Sequence, residues 1–206
     1  MNEGTVRVIL AIVAAYLLGG VPFSALAARL KGVDLRAHGS GNLGATNAIR
    51  VLGPALGVPV LLLDFAKGWA SAALLPGLFG APGAELPLAC GFAAVAGHVW
   101  PVWAKFRGGK GVAAAGGAFL AIAPAATGIA AALFLIVLLT TRYMSLASIT
   151  AAVVLPFALA WRHASPWVLG VAVLIAALIL VRHRTNLVRL VRGNENRIGK
   201  KKEATR

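Results

Sequence analysis

GVAAAGGAFLAIAPAATGIAAALFLIVLLTT, residues 111 to 141, carries no charged side chain along its whole length. As one helix it would measure ~45 Å against a hydrocarbon core of ~30 Å, and Pro124 lies near its middle. Proline removes a helical hydrogen bond and clashes with the preceding turn. The stretch therefore reads as two membrane helices that meet at Pro124.

On either side of it, further uncharged apolar stretches occupy residues 8 to 28, 51 to 63, 68 to 84, 86 to 104, 143 to 161 and 164 to 181. The second and third are short for a span of ~20 residues and read as one long helix broken by the polar insert Asp64 to Lys67. Arg7 before the first run suggests a secretory signal, but the run is long and polar motifs follow it, so it reads as a retained span. The fold class is all-α, a polytopic membrane bundle of about seven helices, some short or broken. One membrane domain covers 1–183, and a basic tail covers 184–206, of which residues 200 to 206 read as disordered.

Composition agrees. Of 206 residues 59% are hydrophobic, and 20 Lys and Arg against 6 Asp and Glu give a net charge of +14. An excess of this kind needs an anionic partner, and in a polytopic chain anionic lipid is favoured over nucleic acid. Cys90 stands alone, which excludes an internal disulfide and a two-cysteine metal site. Too few carboxylates exist for an oxygen cage, so no metal and no other cofactor is expected.

Positive charge sets sidedness. Lys31, Arg36 and Arg50 mark one inner loop, Lys105, Arg107 and Lys110 another, and nine Lys or Arg from Arg182 onward a third. With the N-terminus outside and the C-terminus inside, the number of crossings is odd. Division at Pro124 supplies the seventh and puts Arg142 inside.

Three polar segments interrupt the apolar pattern, all toward that inner face. In GSGNLGATNAIR, residues 39 to 50, Gly39, Gly41 and Gly44 permit close backbone approach, and Ser40, Asn42, Thr46 and Asn47 supply donors. Arg50 ends the segment with a planar fork that suits phosphate. In KFRGGKG, residues 105 to 111, Gly108 and Gly109 lead through Lys110 into a helix start, where free N–H groups, the helix dipole and an ammonium favour an anion. It is not a nucleotide P-loop, because the glycine spacing is wrong and no Ser or Thr follows the Lys. Lys105 and Arg107 read as headgroup charges, and His98 as a hydrogen-bonded structural residue. In RHRTNLVRLVRGNENR, residues 182 to 197, His183, Asn186 and Arg189 share a helix face, while Arg182 and Arg184 point elsewhere and snorkel to the interface. Glu195 reads as a salt-bridge partner. Asp64 and Lys67, three apart in an apolar helix, read as a mutually neutralising pair whose further role stays open.

Taken together, SGNLGATNAIR at 40 to 50, DFAKG at 64 to 68, GHVWPV with FRGGKGVA at 97 to 113, and RHRTNLVRLVRGNE at 182 to 195 resemble the acyl-phosphate:glycerol-3-phosphate 1-acyltransferases of bacterial phospholipid synthesis. The resemblance implies a seven-helix inner-membrane enzyme with its site on the cytoplasmic side. Such an enzyme makes 1-acylglycerol-3-phosphate and inorganic phosphate from glycerol-3-phosphate and acyl-phosphate, with no acyl carrier protein required. By motif position it implies catalytic roles for Ser40, Arg50, Lys110, His183 and Asn186. Asn42, Gly44, Thr46, Asn47, Gly108, Gly109 and Glu195 would bind substrate.

Acyl-phosphate carries a good leaving group, so such a site needs mainly to hold two anions and an oxyanion. None of His38, His98, His163 and His183 has an Asp five residues on, the spacing soluble-style glycerolipid acyltransferases use for a base. The rival reading is a secondary transporter of an anionic solute, which also shows broken helices and buried charge but places its site between repeats near the midplane. No repeat is visible here.

Overall fold

The computed structural model describes residues 1–199, so the expectation for 200 to 206 lies outside the described residues. The helices are α1 (Glu3–Gly19), α2 (Phe23–Arg29), α3 (Ala45–Leu52), α4 (Pro54–Ala73), α5 (Leu75–Leu78), α6 (Leu86–Val99), α7 (Val112–Ile122), α8 (Pro124–Thr141), α9 (Met144–Trp161), α10 (Pro166–Arg182) and α11 (Arg184–Val191). Among the described residues there is no strand. Within the same residues five segments are long and apolar enough to cross a membrane, and α10 passes when joined to α11, from which it is bent by 60°. The division near Pro124 is present: Ala123, at φ −143 and ψ 70, separates α7 from α8. With 11 residues α7 is only about 16 Å long, and it packs between α4, α6 and α8.

The first apolar run holds as one candidate span, Glu3–Arg29, with a short break where α1 stops at Gly19 and α2 starts at Phe23, after Pro22. One expectation is corrected. The run from 51 onward does not break at Asp64 to Lys67. Instead α4 continues through both, and the chain turns before it, at Gly53 with φ 84. The reason is local: Asp64 and Lys67 sit one turn apart and pair at 2.7 Å, so neither has to leave the helix to find a partner. A charge alone at a membrane helix centre costs about 3 kcal/mol.

Helices meet at small residues, as lipid-embedded helices do. A Cβ on Gly68 of α4 would stand 2.0 Å from the Ala114 carbonyl oxygen of α7, and one on Gly117 1.9 Å from that of Phe65. That crossing fixes where α7 begins. Phe119, Leu155, Leu159, Ile175 and Ile179 form the larger core among α7, α9 and α10. Outward side chains are apolar: Leu139 is 76% and Phe157 71% exposed, and Trp161 and Trp167, at 72% and 71%, flank the α9–α10 turn as interfacial anchors do.

Candidate functional site

Gly39 takes φ +65, and a Cβ there would stand 2.2 Å from Asn47 Oδ1. That loop is organised by Asn47, whose Oδ1 accepts from the Ser40 N–H at 2.8 Å while its Nδ2 donates to the Leu35 and His38 carbonyls, each at 3.1 Å. Its amide therefore shapes the loop and is not free for a ligand. The shaped loop turns Ser40, Asn42 and Thr46 toward one cavity, with Arg50 reaching it from the last turn of α3.

The second segment departs from expectation in one respect. The N–H groups of Gly108 and Gly109 are not free: they donate to the Val99 and His98 carbonyls, each at 3.1 Å. Both glycines line a small space beside Asp64 and His98 and stay off the main cavity. Helix ends leave carbonyls without partners, and the two glycines supply the partners for the end of α6. The donors facing an anion are instead those at the start of α7, where Gly111, at φ 89, precedes Val112 and Ala113 on the cavity wall. Lys105 and Arg107 are exposed, as headgroup charges should be.

From the third segment His183, Asn186 and Glu195 all reach the cavity, each less than a tenth exposed. The bend between α10 and α11 aims them inward. Asn186 Nδ2 donates to Glu195 Oε1 at 2.8 Å, Arg189 Nε donates to Glu195 Oε2 at 2.7 Å, and the Lys110 ammonium donates to Asn186 Oδ1. His183 Nδ1 lies 2.8 Å from the Ile179 carbonyl. A carbonyl only accepts, so that nitrogen carries the proton and the neutral ring turns an acceptor, Nε2, to its other side. Arg182 does not snorkel. Its Nη2 donates to the Gly108 and Gly109 carbonyls at 3.4 and 3.2 Å, because the end of α10 lies beside the Gly108–Gly109 turn.

The chain after α11 is tied down where the Ile198 N–H donates to the Arg142 carbonyl at 2.9 Å and the Arg197 guanidinium lies 4.9 Å over the Tyr143 ring. That strap places Glu195 and Asn196 at the cavity.

Arg50, Lys110, His183, Ser40 and Asn186 thus line a single cavity of about 350 Å³, together with Asn42, Gly44, Thr46, Asn47 and Glu195. Three helices start on its wall: α3 after Gly44, α7 after Gly111, and α9 at Met144 and Ser145. Their N-terminal dipoles and unpaired N–H groups favour negative charge. Burial pushes the Lys110 ammonium down to about 8, helped by Arg189, Arg182 and Arg50 and opposed by Glu195. An anion bound there relieves that repulsion. Away from these groups the wall is apolar, formed by Leu61 and Phe65 of α4, Phe134 of α8, Leu155 of α9 and Ile175 of α10.

Sequence reasoning missed Ser145, Ser148 and Asn196 on this wall. Ser148 Oγ donates to the Met144 carbonyl at 2.8 Å, whereas Ser145 Oγ is buried without a partner. Their spacing of three within an apolar helix is the signal that could have found them.

Comparison with known proteins agrees with this geometry. A family model described as glycerol-3-phosphate acyltransferase matches residues 9–193. The chain is 45% identical over 192 residues to the glycerol-3-phosphate acyltransferase of Geotalea daltonii, covering 91% of this chain and 96% of the relative. Against that of Aquifex aeolicus the identity is 45% over 186 residues, covering 90% and 96%. Among solved structures it is similar to PlsY (YgiH), an integral membrane glycerol 3-phosphate acyltransferase. The glycerol 3-phosphate form matches with a TM-score of 0.87 and 43% identity over 93% of this chain and 96% of that one. The lysophosphatidic acid form matches with 0.83 and 42%, over 93% and 95%.

Proposed function

This chain belongs to the glycerol-3-phosphate acyltransferase family, and on that premise we propose that it moves a fatty acyl group from acyl-phosphate to the 1-hydroxyl of sn-glycerol-3-phosphate. The products are 1-acylglycerol-3-phosphate and inorganic phosphate. One observation carries the reading: a cavity with cations and helix N-termini at one part of its wall and apolar helix faces along the rest. Such a cavity suits two phosphates and one acyl chain. The protein is a multi-pass membrane protein; its inner-membrane location, with site and C-terminus on the cytoplasmic side and N-terminus outside, is supported by the clustering of Lys and Arg near the site.

In the step itself the 1-hydroxyl oxygen attacks the acyl carbonyl carbon and the carbon–oxygen bond to the phosphoryl group breaks. The hydroxyl proton passes to a phosphate oxygen of the donor, which leaves as inorganic phosphate. Arg50 and Lys110 hold the phosphates against their mutual repulsion. The N–H groups at the start of α7 stabilise the oxyanion. Nε2 of His183 accepts from the glycerol 2-hydroxyl and so orients the substrate, leaving the 1-hydroxyl proton for the phosphate oxygen. Acyl carrier protein has no part in this scheme, since the activated carbonyl arrives on phosphate.

Purified protein in lipid, given glycerol-3-phosphate and palmitoyl-phosphate, should release inorganic phosphate, with the lysophospholipid appearing in equal amount. Release that does not depend on glycerol-3-phosphate, or no release at all alongside glycerol-3-phosphate flux into vesicles, would sink the reading; the second result would favour a transporter.

A further inference from the structure

Asp64 and Lys67 each have a side chain only 3% exposed, and Lys67 Nζ lies 2.7 Å from Asp64 Oδ1. The same ammonium donates to the Val21 carbonyl at 2.9 Å and sits 5.5 Å from the centre of the Phe23 ring. Three contacts answer the three protons of an ammonium. Val21 lies in the break between α1 and α2, so Lys67 ties α4 to that break. Asp64 Oδ1 also lies 3.5 Å from His98 Nδ1. The acyl transfer described above gives these groups no task. An apolar pair of similar volume would avoid the desolvation that a buried ion pair entails.

Asp64 and His98 both edge the main cavity, and His98 also joins the pair to the glycine turn beside it. It is the penultimate residue of α6, where main-chain carbonyls lack helical partners. Gly109 donates to the His98 carbonyl and Gly108 to that of Val99. The ring bears on the same turn, since a Cβ on Gly109 would stand 2.1 Å from His98 Nε2. On another side Arg182 holds the carbonyls of both glycines. Lys110 is the next residue, and its ammonium reaches Asn186 in the cavity. The place of that ammonium therefore depends on a turn clamped by His98 and Arg182, and the His98 ring packs between that turn and the Asp64 carboxylate, 3.5 Å away.

We propose that Asp64, held by Lys67, is a positioning residue for acyl transfer: through the His98 ring it fixes the Gly108–Gly109 turn and with it the Lys110 ammonium. The proposal rests on the acyl-transfer reading for its kinetic consequence, not for its geometry. A displacement on the order of 1 Å at a reacting centre costs roughly 100-fold in rate. Asp64→Asn and His98→Gln should each lower kcat/KM for glycerol-3-phosphate roughly 10- to 100-fold, chiefly through KM. The double variant should fall no further than the weaker single variant, because both act along one line. Multiplied losses would overturn the proposal.

Asp64→Asn alone leaves Lys67 without its counter-charge and can fail to fold. Asp64→Asn combined with Lys67→Met removes both charges and keeps the helix neutral; it gives up the Val21 hydrogen bond as well, and it should show the same kinetic loss while remaining folded. A reading independent of turnover comes from ¹³C-methylated lysines, with the Lys110 resonance assigned by its loss in Lys110→Arg. That resonance should move in the neutral pair variant and in His98→Gln. It should stay in Cys90→Ala, a buried change in the same helix that packs toward α1. An unmoved Lys110 resonance in the folded pair variant overturns the positioning role even if activity drops. A wild type that releases no phosphate defeats the acyl-transfer reading, while the resonance still decides the relay.

Discussion

The polar and apolar parts of the cavity are assembled on opposite plans. Arg50, Lys110 and Asn186 come from three segments far apart in the chain, carried by short helices and glycine turns, and each is held by specific hydrogen bonds or by a helix end. The apolar wall comes largely from α8, from α9 beyond its first turns and from α10, whose contribution there is shape. Charges and dipoles fix where a phosphate sits to within a fraction of an ångström, whereas an acyl chain needs only a dry, continuous surface. One part of the cavity should therefore fail on loss of a single group and the other only on loss of space.

The largest effect should follow from removing a cation. Lys110→Ala should lower kcat/KM by roughly 100- to 1,000-fold, the scale of about 3 to 4 kcal/mol seen when one preorganised electrostatic partner is lost. The factor should be the same with octanoyl-phosphate as with palmitoyl-phosphate, measured by phosphate release. A penalty that grows with chain length would show that the two parts are not separate. A smaller effect of opposite selectivity should follow from filling the apolar part. Ala151 of α9 lines it, and Ala151→Phe should raise KM for palmitoyl-phosphate about tenfold with that for glycerol-3-phosphate unchanged. Tenfold corresponds to losing burial of about two methylenes at ~0.8 kcal/mol each.

The same contrast explains what could be read from the sequence. The polar segments at 39 to 50, 105 to 111 and 182 to 197 stood out because they interrupt apolar runs, the family resemblance singled out Ser40, Arg50, Lys110, His183 and Asn186 within them, and all five line the cavity. Pro124 announced the division between α7 and α8 because its effect on a helix is local. The apolar wall was illegible: beyond Ser145 and Ser148 of α9, the stretches of α8, α9 and α10 that form it are apolar nearly all round, so no periodicity separates the lipid-facing residues from the cavity-facing ones. Asp64 and Lys67 were recognisable as a pair, but that they leave α4 unbroken and meet His98 depends on packing against α6. Arg182 was misread for a related reason. Its partners, Gly108 and Gly109, lie 74 and 73 positions away, and only the packing of α10 beside their turn brings them within reach.

The smallest effects concern the titration of Lys110, whose ammonium is fully present only well below about 8. Burial disfavours the charged form, so kcat/KM for glycerol-3-phosphate should decline as pH rises through that value, and Lys110→Arg should remove the decline because guanidinium stays charged. Glu195 is the neighbour that holds the ammonium up, against Arg189, Arg182 and Arg50. In Glu195→Gln the amide oxygen still accepts a hydrogen bond from Asn186 or Arg189, while the negative charge is gone. The repulsion among the cations is then less opposed, so the alkaline decline should move to lower pH. Activity near neutral pH should fall only slightly. A decline that moves to higher pH, or one that persists in Lys110→Arg, would mean that another group titrates and that Glu195 bears on the cavity through shape and not through charge.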